Sequence, residues 1–470
     1  MSSKLDEFVP IFYPQTHAVI GASSSTQKFG GRVFQSLLTF GPRGRLCPVN
    51  PQESEVQGTK AYASVKDIPG EVDFATIVVP APAVPAVLRE CLGKGVKGAQ
   101  VLSAGFREVS EEGARLEAEV VELAGRGIRI IGPNCFGVYS PDGGVTMLPG
   151  ANLPRRGGRV GFISQSGGYG FRVPNRGQGL GITYSKVVSY GNACDINECD
   201  LVEYLAEDPE TDIITGYIEG VNDGPRFFRL LREVCRKKPV ILWKGGLTSG
   251  GARAVRSHTA SLGGDEQIWE ALFRQTGVIR VEGLDELLDT TLAFLHLRPE
   301  PGRRVAPIGG GGGIGVAATD SCERMGLSVP AFPEALQKKL EAIIPGAGAS
   351  ARNPVDVAAP GPPPRMLRAV METVAAEAEI DIIIVDELDM VSLRERAEVP
   401  VEIRDRFGKP VVIVLPVENT GSAALEAEGA RRRVAEYFAE QGLPVYLTLE
   451  RAAGALVRFT EYHRRFSTGR

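Results

Sequence analysis

The sequence predicts an α/β protein made of three doubly wound parallel-sheet domains. Short β-branched runs bounded by Gly, Pro or Asn alternate with longer amphipathic stretches along the chain, the pattern of parallel strands covered by helices. A strand running into a Gly/Ser loop and then a helix also recurs three times, at Ala18-Val-Ile-Gly-Ala-Ser-Ser-Ser, Val160-Gly-Phe-Ile-Ser-Gln-Ser-Gly-Gly and Val305-Ala-Pro-Ile-Gly-Gly-Gly-Gly-Gly. The length agrees, because 470 residues at the usual ~150 per domain make three.

The first series has strands expected at 17–21, 45–49, 74–79, 99–103 and 128–131, with helical stretches such as 83–94 and 111–126 between them. A second series follows the basic, Pro- and Gly-containing stretch 152–158, with strands at 160–164, 183–189, 213–218 and 239–244. A third follows 298–303, with strands at 304–308, 380–385, 410–415 and 444–447. The domains are therefore expected at 1–150, 151–300 and 301–470. Each Gly/Ser loop points backbone N–H groups and a positive helix end at whatever lies over the carboxyl edge of its sheet, a setting suited to phosphate. A tight strand-to-helix turn without a ligand would read the same.

Composition narrows the ligand. The 53 basic and 57 acidic residues leave a net charge of −4, too small to steer nucleic acid or to coat a membrane surface, so a small neutral or anionic ligand fits better. Glycine is abundant, 57 of 470 against a typical ~7%. The seven cysteines are scattered without a C-x-x-C pair or metal-ligand spacing, which fits a reduced protein with no metal centre. Residues 1–15 lack the form of a secretory leader and no stretch approaches ~20 apolar residues, so a cytoplasmic location is expected.

The first loop departs from the dinucleotide fingerprint, because Gly21 is followed by Ala22, Ser23, Ser24 and Ser25 and the next glycines are Gly30 and Gly31. The second strand ends in Val49-Asn50-Pro51 where a ribose-binding Asp or Glu is expected. Without that carboxylate a ligand with phosphate on its ribose is not repelled, and Lys28 is placed to hold such a phosphate or else simply to be solvated.

These residues resemble the NDP-forming acyl-CoA synthetases, which include succinyl-CoA synthetase and ADP-forming acetyl-CoA synthetase. The matching segments are Val19-Ile-Gly-Ala-Ser, Pro48-Val-Asn-Pro, Val78-Val-Pro-Ala, Leu102-Ser-Ala-Gly-Phe and Ile131-Gly-Pro-Asn-Cys-Phe-Gly in the first series. Ser164-Gln-Ser-Gly-Gly, Val188-Ser-Tyr-Gly-Asn-Ala-Cys-Asp, Tyr217-Ile-Glu-Gly and Ser257-His-Thr-Ala-Ser-Leu-Gly-Gly follow in the second, with Asn353-Pro-Val-Asp in the third. The resemblance implies a Rossmann-like CoA-binding domain followed by two flavodoxin-like ligase domains. It implies the reaction acid + CoA + ATP giving acyl-CoA + ADP + phosphate, reversible, through an acyl phosphate and a phosphohistidine.

The residues can support that chemistry. Of four histidines only His258 lies in a glycine-rich stretch, 245–264, expected to be a loop. A neutral imidazole attacks phosphorus when its second nitrogen is held and its growing positive charge is offset. Glu219, at the end of a buried strand, is the expected partner, a role the resemblance also assigns; a solvated loop acid is the other reading. Ser164, Gln165, Ser166, Gly167 and Gly168 are expected to hold the phosphoryl group at a helix start. In the first domain CoA is expected along Gly21, Ala22, Ser23 and Lys28, Val49, Asn50 and Pro51, Pro80, Ser103, Ala104 and Gly105, and Asn134 and Cys135. Asn134 is expected to donate to the pantetheine or the acyl carbonyl, and Cys135 to line the thiol pocket rather than act as a nucleophile. The three domains consume the chain, so Mg-ATP/ADP is expected on an ATP-grasp β subunit, in a dimer or heterotetramer. The glycine run 309–313 departs from the expected pattern. A CoA-binding or CoA-sensing scaffold without ligase turnover is the alternative, and an NAD dehydrogenase a third, disfavoured reading.

Overall fold

The structure, a computed structural model, describes residues 4–147, 153–259, 265–299, 302–358, 361–386, 388–390, 394–417, 421 and 424–467, with the side chains of 256–259 and 467 left out. The first series forms β1 (Thr16–Ile20), β2 (Arg45–Val49), a small hairpin of β3 (Glu55–Val56) and β4 (Thr59–Lys60), then β5 (Phe74–Ile77), β6 (Gly98–Val101) and β7 (Arg129–Ile131). The second contributes β8 (Gly137–Tyr139), β9 (Val160–Ser164), β10 (Tyr184–Ser189), β11 (Ile213–Ile218), β12 (Val240–Lys244) and β13 (Ile279–Val281). The third contributes β14 (Val305–Gly309), β15 (Val355–Asp356), β16 (Ile382–Asp386), β17 (Val411–Val414) and β18 (Val445–Tyr446). β1, β9, β11 and β14 are buried along their whole length, as expected where helices cover both faces of a parallel sheet.

The three sheets run β2-β1-β5-β6-β7, β13-β12-β11-β9-β10-β8 and β15-β14-β16-β17-β18. Counting only the parallel strands of each series, all three have the order second, first, third, fourth, fifth. The exception is β8, which pairs antiparallel with β10 at the edge of the middle sheet. In this order the chain reverses direction of travel between its first and third strands, and the crevice above their carboxyl ends is where such sheets bind ligands. The α/β architecture expected from the sequence is present, and the topology singles out the ends of β1 and β5, β9 and β11, and β14 and β16.

The chain folds as two compact units, Met1–Glu282 and Gly283–Arg470. The first holds the first two sheets. There Phe8 and Phe12 of the helix Lys4–Phe12 pack on Tyr204, with ring centroids 5.0 and 4.5 Å apart, and the buried Gln100 of β6 accepts from the Val138 amide of β8 at 3.0 Å. In the second unit the helix Leu284–His296 lies against Leu449–Ser467. Phe294 meets Phe459 and Tyr462 edge to face, and Arg451 makes two hydrogen bonds to Asp289, of 2.6 and 2.8 Å.

Gly30 lies in the first turn of the helix Phe29–Phe40, and a Cβ there would lie 1.9 Å from the Gly21 carbonyl oxygen. Neither backbone can yield without moving the first loop off its helix. Gly30→Ala is therefore expected to destabilise the first unit by about 1–3 kcal/mol. Both tryptophans, Trp243 and Trp269, lie in that unit, so a lower guanidinium midpoint in tryptophan fluorescence is the readout, and an unchanged midpoint contradicts the packing argument.

Candidate functional site

The middle sheet brings two of the expected elements together at its switch point. β9 ends at Ser164 and β11 at Ile218, side by side, so the Ser164–Gly168 loop and Glu219 leave the sheet as neighbours. The Gln165 amide donates to the Tyr217 carbonyl at 3.1 Å. The side-chain oxygen of Gln165 then accepts from both the Glu219 and the Gly220 amides, at 2.8 and 2.9 Å. Ser164 Oγ donates to the Ser166 carbonyl at 2.6 Å, and Ser166 precedes the helix Gly167–Gln178 without a side-chain capping bond, while the helix has no acid in its first turn to offset its positive end. The glycines there are a packing requirement: a Cβ on Gly167 would lie 2.7 Å from the Phe136 ring, and one on Gly170 2.9 Å from Ser189 Cβ.

Glu219 is 3% exposed, so the solvated-acid reading falls. Its Oε1 accepts from the Tyr217 hydroxyl at 3.1 Å, and its carbonyl accepts from Lys244 Nζ at 2.8 Å. Lys244, at the end of β12, also donates to the Gly245 carbonyl and lies 5.0 Å over the Trp269 ring. Burial pulls the Lys244 ammonium down to about 8, with Glu219 opposing. Tyr190 is fully buried, its phenol pushed well up by burial and then by the charges of Glu198 and Glu219. Lys244 and Glu198 sit in apolar or helical surroundings without a motif, whereas Tyr190 lies within the Val188-Ser-Tyr-Gly-Asn-Ala-Cys-Asp segment, where nothing in the residue pattern marks it as a buried phenol beside Glu219.

His258 falls in the helix Ser249–Thr259; its side chain and residues 260–264 lie outside the described residues. The expectation of a loop from 245 onward is corrected for 249–259. Thr248 caps the helix, accepting from the Gly251 amide through Oγ1 at 3.0 Å and from Ala252 through its carbonyl at 2.7 Å. Val255 packs so closely on Gly246 that a Cβ there would lie 2.6 Å from its methyl. Capping and one buried contact outweigh Gly250 and Gly251.

At the first switch point Gly21 takes φ +92° and its amide donates to the Val49 carbonyl at 3.0 Å. Ala22 and Ser23 are buried, while Lys28 and Pro51 are exposed. Asn50 ties the second strand to the loop, its amide donating to the Ala22 carbonyl at 2.8 Å. The reading that no carboxylate stands at this strand end is corrected by Glu53. Its two oxygens accept from Ser23 Oγ at 3.1 Å, the Ser24 amide at 3.0 Å and the Asn50 amide at 3.1 Å. The hydrogen bonds from Ser24, with Lys28 adding to them, hold the Glu53 carboxyl below its usual range. The β3–β4 turn, with Gln57 and Gly58 both at positive φ, aims Gln57 Nε2 back at the Ser23 and Gly31 carbonyls, at 3.1 and 2.9 Å.

The remaining edge loops form one polar cluster between the first two sheets. Pro80 and Ala104 are exposed, and Ser103 Oγ donates to the Val79 carbonyl. Glu108 accepts from the Gly105 and Phe106 amides at 2.7 and 3.1 Å. The fully buried Asn192 donates to Glu108 at 2.7 Å and to Glu117 at 2.8 Å, and its oxygen accepts from Asn134 Nδ2 at 3.4 Å. Thus Asn134, expected to face the ligand, is engaged with Asn192. Cys135 is 2% exposed and its thiol is pushed up to about 12 by burial, which leaves it a poor nucleophile. At the third switch point Gly309 stands in register with Asp356 and Asp386, both buried, so acids flank the glycine run 309–313.

Residues 15–141 match the family described as CoA binding domain, 157–294 the succinyl-CoA ligase like flavodoxin domain and 305–453 the ligase-CoA domain. The α subunit of acetate–CoA ligase [ADP-forming] II of Pyrococcus furiosus is 44% identical over 74% of this chain and 75% of its own length. The α subunit of the form I enzyme of that organism is 39% identical over 95% of this chain and 96% of its own. The chain belongs to the NDP-forming acyl-CoA synthetase family. Its match to that form I α subunit runs over nearly the whole of both chains, which makes it an α-type chain; against acetate–CoA ligase [ADP-forming] I of Archaeoglobus fulgidus, 40% identical, it spans 54% of the relative's length. A solved acetyl-coenzyme A synthetase of Ca. Korarchaeum cryptofilum, in complex with phosphate and ADP, superposes with a TM-score of 0.85 at 30% identity, covering 98% of this chain and 97% of that one. These relatives favour a ligase over a scaffold. Among the described residues of this α-type chain, no helix is long and apolar enough to cross a membrane.

Two outcomes follow from the geometry. Gln165→Leu leaves the buried Glu219 and Gly220 amides without their acceptor and is expected to cost about 2–4 kcal/mol; a loss below about 1 kcal/mol in denaturant titration would mean that the amides find another partner. Lys244 gives a pH signature. Its pKa falls from 10.5 to about 8 on folding, so between those values the unfolded chain binds more protons and stability rises with pH. Below about pH 8 the full cost of the buried cation is present. Fluorescence-monitored unfolding from pH 7.5 to 9.5 should show the rise in the wild type and lose it in Lys244→Met; equal slopes would contradict the shift.

Proposed function

We propose that the chain is the phosphohistidine-carrying α subunit of an ADP-forming acyl-CoA ligase, with His258 as nucleophile and Glu219 as its charge partner. The observation that carries this reading is the Gln165 bridge, which fixes the Ser164–Gly168 loop and the buried Glu219 side by side at one switch point. The work divides as CoA binding in 1–150, phosphoryl transfer in 151–300 and a second ligase domain in 301–470. Mg-ATP binds an ATP-grasp β subunit in the cytoplasm, the two chains forming a heterodimer or heterotetramer.

The terminal phosphorus of ATP is attacked by one imidazole nitrogen of His258; the P–N bond forms as the bond to ADP breaks. Glu219 orients the other nitrogen and offsets the positive charge, while Ser164, Gln165, Ser166, Gly167 and Gly168 present amides and a positive helix end to the phosphoryl oxygens. A carboxylate then takes the phosphoryl group, giving an acyl phosphate and free His258. The CoA thiolate attacks the acyl carbon and phosphate leaves. CoA reaches that point along Gly21–Lys28, Val49–Pro51, Pro80, Ser103–Gly105, Asn134 and Cys135. The donor set at Ser23, Ser24 and Asn50 suits an anion, since it already holds a carboxylate.

His258→Ala is expected to abolish acid-labile phosphate incorporation and acyl-CoA formation, with CoA binding intact. Glu219→Gln keeps the shape and loses the charge, and phosphorylation should slow by ~10² or more. Mass spectrometry at neutral or basic pH, on the chain together with its ATP-grasp partner, reads both. Undiminished acyl-CoA formation by His258→Ala would refute the mechanism.

A further inference from the structure

The first loop already holds an anion. Its donors come from three places in the chain: the hydroxyl of Ser23, the backbone amide of Ser24, and the side-chain amide of Asn50 at the end of the second strand. All three converge on the carboxylate of Glu53, at 3.0 to 3.1 Å. The surrounding backbone is pinned from the other side, because Gln57 donates to the Ser23 and Gly31 carbonyls and Ser24 Oγ to the Glu55 carbonyl at 3.2 Å. Glu53 sits on a partly exposed connection between β2 and β3, so the donors are tied to the loop while the carboxylate that they hold borders solvent.

We propose that Glu53 is a built-in competitor for phosphate: in the free chain its carboxylate occupies donors that a phosphate group of CoA takes on binding. This rests on the reading that CoA binds the first loop, and it adds a selectivity rule to it. A simple anion such as inorganic phosphate must displace a tethered carboxylate with nothing else to gain. CoA brings an adenosine, a diphosphate and a pantetheine arm whose other contacts offset the displacement. Glu53 thereby raises the threshold for entry to ligands that touch the site at several points, and sets the CoA affinity below what the donors alone would give.

The test is titration calorimetry on the full chain with CoA and with 3′-dephospho-CoA, for wild type, Glu53→Gln and Glu53→Ala. Gln keeps the shape with a weaker, neutral acceptor, and Ala removes the competitor. Both variants are expected to bind CoA about tenfold tighter, the order of one charge-assisted hydrogen bond no longer broken. If the gain persists with 3′-dephospho-CoA, the diphosphate takes the donors; if it vanishes, the 3′-phosphate does, and either result supports the proposal. Unchanged or weaker CoA binding by Glu53→Ala overturns it, because a carboxylate that orients the ligand behaves in that way. If no form of the chain binds CoA, the CoA reading of the loop falls as well, an outcome distinct from equal affinities.

Discussion

The side-chain oxygen of Gln165 is the contact on which the middle sheet's site depends. It satisfies two consecutive buried amides at the end of β11, and an unsatisfied amide in such surroundings is costly. Once that bridge is made, the first residues after β9 and the first residue after β11 have no freedom to separate. Glu219 is then held by its own backbone, by the Tyr217 hydroxyl and by Lys244 on its carbonyl, so a buried acid stands at fixed distance from a helix start that carries no acid of its own. The charge arrangement is a product of backbone satisfaction.

The same strand order has been used three times with different electrostatics. In the first sheet the loop donors meet the chain's own Glu53; in the second they stand beside Glu219; in the third Gly309 is in register with two buried acids, Asp356 and Asp386. Topology fixes where a ligand would lie, and the residue after each neighbouring strand fixes what charge it meets.

Much of this was legible in the sequence for a physical reason. Strands covered on both faces are largely apolar, so β1, β9, β11 and β14 stand out as short apolar runs bounded by polar residues or glycine. Glu219 was legible because it is a charged residue directly after such an apolar run. The hairpin β3–β4 was not, since two-residue strands leave no alternation to read, nor was β8, which a single Gly137 and its antiparallel pairing with β10 hide between two series. Glu53 escaped because the residue expected at the strand end sits three positions later and returns through a loop, where periodicity carries no information. The helix Ser249–Thr259 is hidden in the sequence because Gly250 and Gly251 lower its propensity, while the Thr248 cap and the packing of Val255 are not visible there.

The burial of the cysteines has a consequence for a protein that handles a thiol. Six of the seven are buried and Cys194 is half-buried; burial pushes Cys91, Cys135, Cys199 and Cys322 up to about 12 and Cys194 well above its ordinary value. Exchange with a disulfide requires a thiolate that can reach it. At neutral pH these five side chains supply almost none, so oxidised CoA has little to react with along the path proposed for its reduced form. On the path proposed for CoA, a sulfur brought up to Cys135 would meet a thiol that does not readily become joined to it.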